Sequence, residues 1–287
     1  MGPIAVGGVG GSGTRVVADL LQKLGFYLGG DLNRALDNQW FALLFKRPRW
    51  LDECRRRDDA PVFRALQLFE RAMTTGLASG VGRAERRLVE DAVAESAASP
   101  WPMGAGRQEA RTLLASAAPA PGTHRGWGWK EPNTHVLLDY VRRYFPTVRY
   151  VHVIRHGLDM AFSSNRQQLR NWGALYGVPW PADEAAVPQA ALQFWLRANR
   201  EAAERGREWL GERFHLLRID DLFVDPLRAT RELTAFLGLS VGDDEAVRLI
   251  GDVVAPPSVG RYRREDLSRF SPDDVDGVRA FGFAVEP

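Results

Sequence analysis

The sequence predicts an α/β protein in which a central parallel sheet is flanked by helices and carries one helical insertion. An apolar run at residues 4–6 leads into a glycine-rich segment and then a helical pattern. Strand-like and helix-like segments alternate again from residue 127 onwards, which is typical of a parallel sheet. Between these two regions, residues 34–118 show only helical patterns. We therefore expect a single domain over residues 1–287, with 34–118 as the insertion.

The order of elements follows from local signals. The strand at 4–6 is followed by a helix at 16–24, which Gly25 ends, and by a short apolar segment at 26–28. The clearest strand is 149–154, because its residues are β-branched or aromatic. The remaining predictions are a strand at 127–129, helices at about 133–144 and from about 159, a helix at 189–210, a strand at 214–219, and a helix that begins at Asp225-Pro226 and ends at Gly238.

Composition excludes several classes of function. A net charge of +2 does not favour nucleic acid as a partner. No apolar run approaches the ~20 residues of a membrane span, and the amino terminus resembles a strand rather than a signal peptide. The single cysteine, Cys54, excludes an internal disulfide and a cysteine-rich metal site. We expect a cytoplasmic protein of bacterial type.

The glycine-rich segment has the layout of a phosphate-binding loop. Glycines allow an anion to approach the backbone, and a helix N-terminus offers free N–H groups and a positive dipole end. The spacing from Gly8 to Gly13 matches the nucleotide P-loop, G-x-x-x-x-G-K-[ST]. However, Thr14 replaces the lysine and Arg15 replaces the magnesium-binding hydroxyl. The segment is therefore suited to a phosphate-like group and poorly suited to metal-assisted ATP hydrolysis. Its candidate binding residues are Gly10, Gly11, Ser12, Gly13, Thr14 and Arg15.

Two further candidates follow predicted strands, where open α/β sheets bind their ligands. Lys130 follows the strand at 127–129, and it is conspicuous because nearly all other basic residues are arginine. Arg155 follows the strand at 149–154, and Ser163 lies eight residues later, near the start of the predicted helix. A guanidinium and a hydroxyl placed in this way are expected to grip one phosphate.

Together these segments resemble the sulfotransferases that use 3′-phosphoadenosine-5′-phosphosulfate (PAPS). That family binds the 5′-phosphosulfate with a strand-to-helix turn around S-G-T, matched by Ser12-Gly13-Thr14. It binds the 3′-phosphate with an arginine and a serine eight positions on, matched by Arg155 and Ser163. Residues 219–239 resemble the family's E-D-L, D-P and F-L-G-L run, and residues 127–132 resemble bacterial members.

The resemblance implies a P-loop-like sulfotransferase fold and direct transfer of a sulfuryl group from PAPS, leaving PAP, with no metal. It implies that a basic loop near the C-terminus reaches the 3′-phosphate, and Arg261 is the candidate, although a solvated run of charges is the alternative. Two positions depart from the family. Gly11 stands where a basic residue often precedes S-G-T, so Arg15 is the candidate replacement. The catalytic lysine–histidine pair of the family's cytosolic branch is also absent, since no histidine stands two positions after Lys130, but Lys130 remains the catalytic candidate for stabilising charge on the leaving 5′-phosphate.

Transfer to a hydroxyl or amine needs a general base. Asp31 is preferred because it follows the second strand-like segment, where some related enzymes carry a glutamate; Glu131 and His135 are the alternatives. Each also has a purely structural interpretation: Asp31 as a turn cap, Glu131 as the ion-pair partner of an arginine, and His135 as a helix-face residue.

Two other functions stay open from the sequence. One is a P-loop small-molecule kinase or nucleotide-binding protein, and the other is a binding protein that has lost its chemistry. The acceptor is expected to be a small molecule, a lipid or a glycan. The sequence does not indicate an oligomeric state.

Overall fold

The computed structural model describes residues 2–78, 80–98, 114–115, 117–120, 122–251 and 253–285. The chain forms two compact units. The first unit comprises Met1–Val6 and Val17–Arg149, and the second comprises Gly7–Val16 and Tyr150–Pro287. The expectation of one domain over 1–287 stays a prediction. None of the described helices has both the length and the apolar run needed to cross a membrane.

The first unit contains three parallel strands in the order β2-β3-β1. They are β1 (Ile4–Gly7), β2 (Phe26–Tyr27) and β3 (Gly126–Lys130). The register pairs Val6 with Lys130, and Phe26 with Gly126. Parallel pairing brings the carboxyl ends of neighbouring strands to one edge, so Lys130 lies at the edge where β1 also ends.

Helices make up the described part of the predicted insertion. Asn38 caps the first of them, because its side chain accepts a hydrogen bond from the Phe41 N–H. Phe41 and Phe69 pack on Trp129 of β3, with ring centroids 5.5 and 5.2 Å away, so these helices cover the strands of the first unit. Residues 99–113 of the insertion lie outside the described residues. The helices of the first unit are α1 (Thr14–Lys23, whose first turn belongs to the second unit), α2 (Gln39–Phe45), α3 (Pro48–Arg57), α4 (Ala60–Thr74), α5 (Arg83–Ala98) and α6 (Leu138–Tyr144).

The second unit is built on two parallel strands, β4 (Arg149–Ile154) and β5 (Phe214–Arg218), with Tyr150 opposite Phe214. β4 is almost wholly buried, as its β-branched sequence predicts. With helices packed around both sets of parallel strands, the predicted α/β class is confirmed. The helices of this unit are α7 (Gly157–Ala161), α8 (Gln167–Trp172), α9 (Val187–Leu210), α10 (Ile219–Val224), α11 (Pro226–Phe236), α12 (Asp243–Ile250) and α13 (Pro272–Ala280).

Two predicted helices differ from the structure. The segment at 133–144 begins as a 3₁₀ helix, Pro132–Leu137, before α6. The helix expected from about Asp159 starts earlier and ends at Ala161, so the placement of Ser163 near a helix start is wrong. At this end, the Arg166 guanidinium donates to the carbonyl of Ala161 at 2.6 Å, which satisfies an acceptor that no further helical N–H reaches.

Candidate functional site

The glycine-rich segment of the second unit forms a tight turn between β1 and α1, hereafter the glycine loop (Gly7–Gly13). Gly13 has φ of +86°, which favours glycine. A Cβ at Gly13 would also lie only 2.6 Å from Cγ1 of Ile219. The sequence pattern therefore reflects a real backbone requirement, since both conformation and packing demand glycine at this position.

Ser12 shapes the loop from inside. Its hydroxyl donates to the Val9 carbonyl at 2.6 Å, and its backbone N–H donates to the same oxygen at 3.0 Å. Ser12 is fully buried, so its hydroxyl proton is used within the turn. Thr14 begins α1, and the first N–H groups of a helix have no acceptor within the helix. The turn thus presents backbone N–H groups to an anion.

Arg15 is the predicted replacement for the missing loop cation. It lies in the first turn of α1 and is exposed. Within the part of the chain that the structure describes, no side chain forms an ion pair with it. Its guanidinium is therefore available to a ligand, whereas Gly11 offers no charge and packs against the Met160 side chain.

Arg155 lies at the end of β4 and is only 7% exposed. Its Nη2 donates to the Ser258 hydroxyl at 2.9 Å and lies 3.7 Å from the Asp159 carboxylate. Its Nε is buried and has no hydrogen-bond partner among the described residues. Burial lowers the pKa of the guanidinium; Asp159 opposes this shift, and the charge of Arg261 adds to it. A buried donor of this kind is costly unless a ligand completes its bonding.

Asp159 connects this arginine to the predicted C-terminal basic loop. Its carboxylate accepts hydrogen bonds from the backbone N–H groups of Gly260 at 2.8 Å and Tyr262 at 3.2 Å. Arg261, between them, donates to the carbonyls of Ser258 and Phe162 at 3.3 and 3.4 Å. The structure therefore brings Arg261, the candidate from the C-terminal basic loop, and Arg155 into one cluster.

Arg166 is a third member of this cluster that the sequence did not identify. Its guanidinium donates to the Ala161 and Met160 carbonyls. Burial and the charge of Arg261 both lower its pKa. We call Arg155, Arg166 and Arg261 the arginine cluster; the repulsion of Arg155 and of Arg166 by the charge of Arg261 favours binding of an external anion. No local sequence pattern marks Arg166 as a binding residue, because its contacts with the Met160 and Ala161 carbonyls form only in the folded turn after α7.

Ser163 lies in the turn after α7, and its hydroxyl accepts a hydrogen bond from the Asn165 N–H at 3.2 Å. The same stretch contacts the glycine loop, since Gly10 packs against Gln168. A narrow cavity is lined by Gly10, Arg166 and Gln168 together. One unit thus contains both predicted anion sites, the glycine loop and the arginine cluster.

Lys130 belongs to the first unit, at the end of β3, and is only 2% exposed. Its ammonium donates to the Ala35 carbonyl at 2.9 Å and to Oδ1 of Asp37. The sequence did not identify Asp37, which lies 93 residues away along the chain. An ammonium has three N–H donors, and no described residue accepts the third.

Glu131 follows Lys130 and is buried as well. Its two carboxylate oxygens accept hydrogen bonds from the backbone N–H and the side-chain amide of Asn133, both at 2.7 Å. Burial raises the pKa of Glu131 to about 7, Lys46 is the strongest charge opposing this shift, and Asp37 adds to it. The rarity of lysine, which singled out Lys130, would also have pointed to Lys46.

The other two candidate bases have different surroundings. His135 is buried beside the Pro132 carbonyl, 2.9 Å from its Nδ1, and burial lowers its pKa to about 4. Asp31 is half-buried after β2 and accepts a hydrogen bond from Gln39 through its backbone carbonyl. Its carboxylate has no hydrogen bond to a described side chain, and its charge contributes to the raised pKa of Tyr27, which is due mainly to burial.

Comparison with known proteins decides the family. A family model described as the sulfotransferase family matches residues 3–243. The chain belongs to the sulfotransferase family. This confirms the resemblance drawn from the sequence and favours sulfuryl transfer over the kinase alternative. The protein is accordingly an enzyme that moves a sulfuryl group to an acceptor.

Solved structures show the same fold. This sulfotransferase is similar to the sulfotransferase domain of the olefin synthase of Synechococcus PCC 7002, with 16% identity, a TM-score of 0.52, and coverage of 99% of this chain and 96% of that one. It is also similar to the sulfotransferase domain from the curacin biosynthetic pathway, with 13% identity, a TM-score of 0.52 and coverage of 99% of both chains. No curated protein matches the sulfotransferase.

Proposed function

We propose that this sulfotransferase uses PAPS as its donor and releases PAP, and that the second unit binds the donor's charged groups. The observation that carries the proposal is the arginine cluster next to the glycine loop, in which the buried Nε of Arg155 has no acceptor among the described residues. Among the described residues only Asp159 lies within ion-pair distance of Arg155, and guanidiniums bind a dianionic phosphate through charge-assisted hydrogen bonds. A single nucleotide with both a 5′-phosphosulfate and a 3′-phosphate has the charges for both sites.

Each predicted residue then receives a role. The N–H groups of Gly10, Gly11, Gly13 and Thr14 bind the 5′-phosphosulfate, and Arg15 adds the positive charge that Gly11 lacks. Ser12 maintains the turn. In the cluster, Arg155 and Arg261 bind the 3′-phosphate through charge-assisted hydrogen bonds, and the Ser163 hydroxyl and Arg166 contribute from the segment after α7.

The donor supplies an activated sulfuryl group on a phosphate leaving group. The acceptor oxygen or nitrogen forms the new bond to sulfur, the bond from sulfur to the bridging oxygen breaks, and negative charge collects on the 5′-phosphate. The residues contribute positioning and charge stabilisation rather than covalent chemistry. Lys130 is our candidate for stabilising this charge, and the acceptor's proton passes to a carboxylate.

Asp31 is our preferred general base. Its carboxylate is half-exposed and not engaged by a described side chain, so its lone pairs are available. The two carboxylate oxygens of Glu131 are held by Asn133, and the lowered pKa of His135 makes it a weak base. The acceptor is a small molecule bearing a hydroxyl or amine, and a lipid or glycan fits that description.

Calorimetry with three nucleotides tests the donor assignment. We expect PAP to bind more tightly than AMP, which lacks the 3′-phosphate, and ATP with magnesium to bind weakly. Arg155→Ala should weaken PAP binding by about 10–100-fold, because a charge-assisted hydrogen bond contributes about 1.5–3 kcal/mol, and should leave AMP binding nearly unchanged. Arg200→Ala, at an exposed position of α9, is the matched control.

Transfer itself is measured as PAP release from PAPS with a panel of phenols, alcohols, amines, lipids and glycans. Tight magnesium-dependent ATP binding would instead support a kinase. PAP binding without release across the whole panel would support a protein that has lost its chemistry.

A further inference from the structure

We propose that Asp37 positions Lys130 for sulfuryl transfer, an inference that rests on the proposed function. The carboxylate of Asp37 and the carbonyl of Ala35 hold two of the three N–H donors of the ammonium. This fixes the direction of the third donor. A lysine side chain has four rotatable bonds, so an ammonium held at only one point would present its donors in many directions.

The segment that carries Asp37 is itself fixed in shape. Oδ1 of Asn33 accepts the backbone N–H groups of Ala35 and Asp37 at 2.8 and 2.9 Å. The Asn33 amide donates to Oδ2 of Asp37 at 2.9 Å. Leu36 has φ of +60°, a conformation that leucine seldom adopts. These features turn the Ala35 carbonyl and the Asp37 carboxylate towards the same ammonium.

The segment is also attached to the strand that carries the lysine. The N–H of Asn38 donates to the carbonyl of Lys130 at 2.8 Å. The Asn38 side chain donates to the Leu28 carbonyl at 2.9 Å, which ties the end of the segment to the chain after β2. Lys130 and its acceptors are therefore held by one network within the first unit, so the ammonium and the carboxylate keep a fixed separation.

The same contacts argue against Asp37 as the general base. Oδ1 is bound by Lys130, and Oδ2 by Asn33, so both oxygens are engaged. Asp31, six residues earlier, has no such partner among the described side chains. We therefore assign different tasks to the two aspartates: Asp31 receives the proton, and Asp37 acts only through Lys130.

Asp37→Asn in the full chain tests this assignment, because it removes the charge and keeps the shape. With PAPS and the acceptor that gives the fastest PAP release, we expect kcat to fall about 10–100-fold, as misplacement of a reacting group by about 1 Å does. The PAP dissociation constant and the KM for PAPS should change less than about twofold. Asp139→Asn is the matched control, since Asp139 pairs with Arg142 on the surface.

Two further measurements separate positioning from general damage. In a Lys130→Met background, Asp37→Asn should have almost no additional effect on kcat, because a residue that acts through Lys130 has nothing left to position. The chain has only three lysines, so ¹⁵N-lysine labelling gives a simple ammonium spectrum, assigned with Lys23→Arg and Lys46→Arg. Exchange of the Lys130 ammonium protons with water should become faster in Asp37→Asn.

An unchanged kcat in Asp37→Asn overturns the inference, and so does a full effect of Asp37→Asn in the Lys130→Met background. Parallel losses of kcat and PAP affinity also overturn it, since they indicate a general structural defect. If the unsubstituted protein does not bind PAP, the proposed function is wrong and this inference falls with it. The ammonium spectrum still reports the Lys130–Asp37 contact in that case, so the two failures are distinguishable.

Discussion

Replacing Glu131 with glutamine is expected to change how the stability of this sulfotransferase depends on pH. Glu131 is buried, and burial raises its pKa to about 7 from an ordinary value of 4.5. Between these two pH values, the folded protein keeps a proton that the unfolded chain releases. The contribution of this carboxyl to stability is therefore fully present below the unfolded pKa and is lost as pH rises through the folded pKa.

The size of the effect follows from the two pKa values. One pKa unit corresponds to about 1.4 kcal/mol, so the full difference is about 3 kcal/mol. Between about pH 5 and about pH 8, the free energy of unfolding of the native protein should fall by about 2–3 kcal/mol relative to Glu131→Gln. Glutamine resembles the protonated carboxyl and does not titrate, so other ionisable groups cancel in this difference.

Chemical denaturation of both proteins across this pH range measures the difference, and carboxyl ¹³C NMR of glutamate-labelled protein measures the pKa directly. Lys46→Met provides an internal check, because Lys46 is the strongest charge lowering this pKa and its removal should raise the midpoint further. A stability difference that stays constant with pH, or a carboxyl midpoint near 4.5, would refute the reasoning.

Three other substitutions test the site. Gly13→Ala should lower the free energy of unfolding by more than about 2 kcal/mol and weaken PAP binding, because φ is positive there and the new Cβ would clash with Ile219. Gly242→Ala is the control: its φ is negative and its surroundings are open, so neither effect is expected. Asp31→Asn should reduce kcat by about 10²-fold or more with PAP affinity unchanged. Near-normal turnover would show that another residue is the general base. Arg166→Met should weaken PAP binding about tenfold and leave AMP binding unaltered; equal losses for both nucleotides would place Arg166 outside the 3′-phosphate site.

Elements with strong local signals were predicted well. β4 has the predicted bounds because a run of β-branched and aromatic residues is both buried and intrinsically suited to a strand. α11 begins after the predicted cap, where the Asp225 side chain accepts the Arg228 N–H. The end of α7 was missed because no residue within the helix marks it; the Ala161 carbonyl there is bound by a side chain beyond the helix, that of Arg166.

The residues of the candidate site also divide into those that a local sequence signal predicted and those that it did not. The glycine loop and Arg155 were found because strand-to-helix turns place ligand groups at predictable positions. Ser258 and Asp37 were missed because each meets its partner across about a hundred residues of chain, at separations of 103 and 93. No local pattern encodes such a contact; it exists only once parallel strands and loops have assembled.

The two candidate sites differ in how their charges balance, and this difference assigns their tasks. In the arginine cluster, Asp159 is the carboxylate within ion-pair distance of Arg155 among the described residues, and Asp220 and Glu184 act on the cluster from farther away, so a phosphate adds direct contacts that these two carboxylates do not make. Around Lys130, the charges of Lys130 and Lys46 act on the carboxyls of Asp37 and Glu131. This group of four side chains is nearly neutral when both carboxyls are ionised. Because burial raises the pKa of Glu131 to about 7, its carboxyl takes up a proton as pH falls through the neutral range, and the site then has a surplus of positive charge. The arginine cluster therefore supplies binding charge at every physiological pH, whereas the charge that the Lys130 site offers decreases as pH rises through 7.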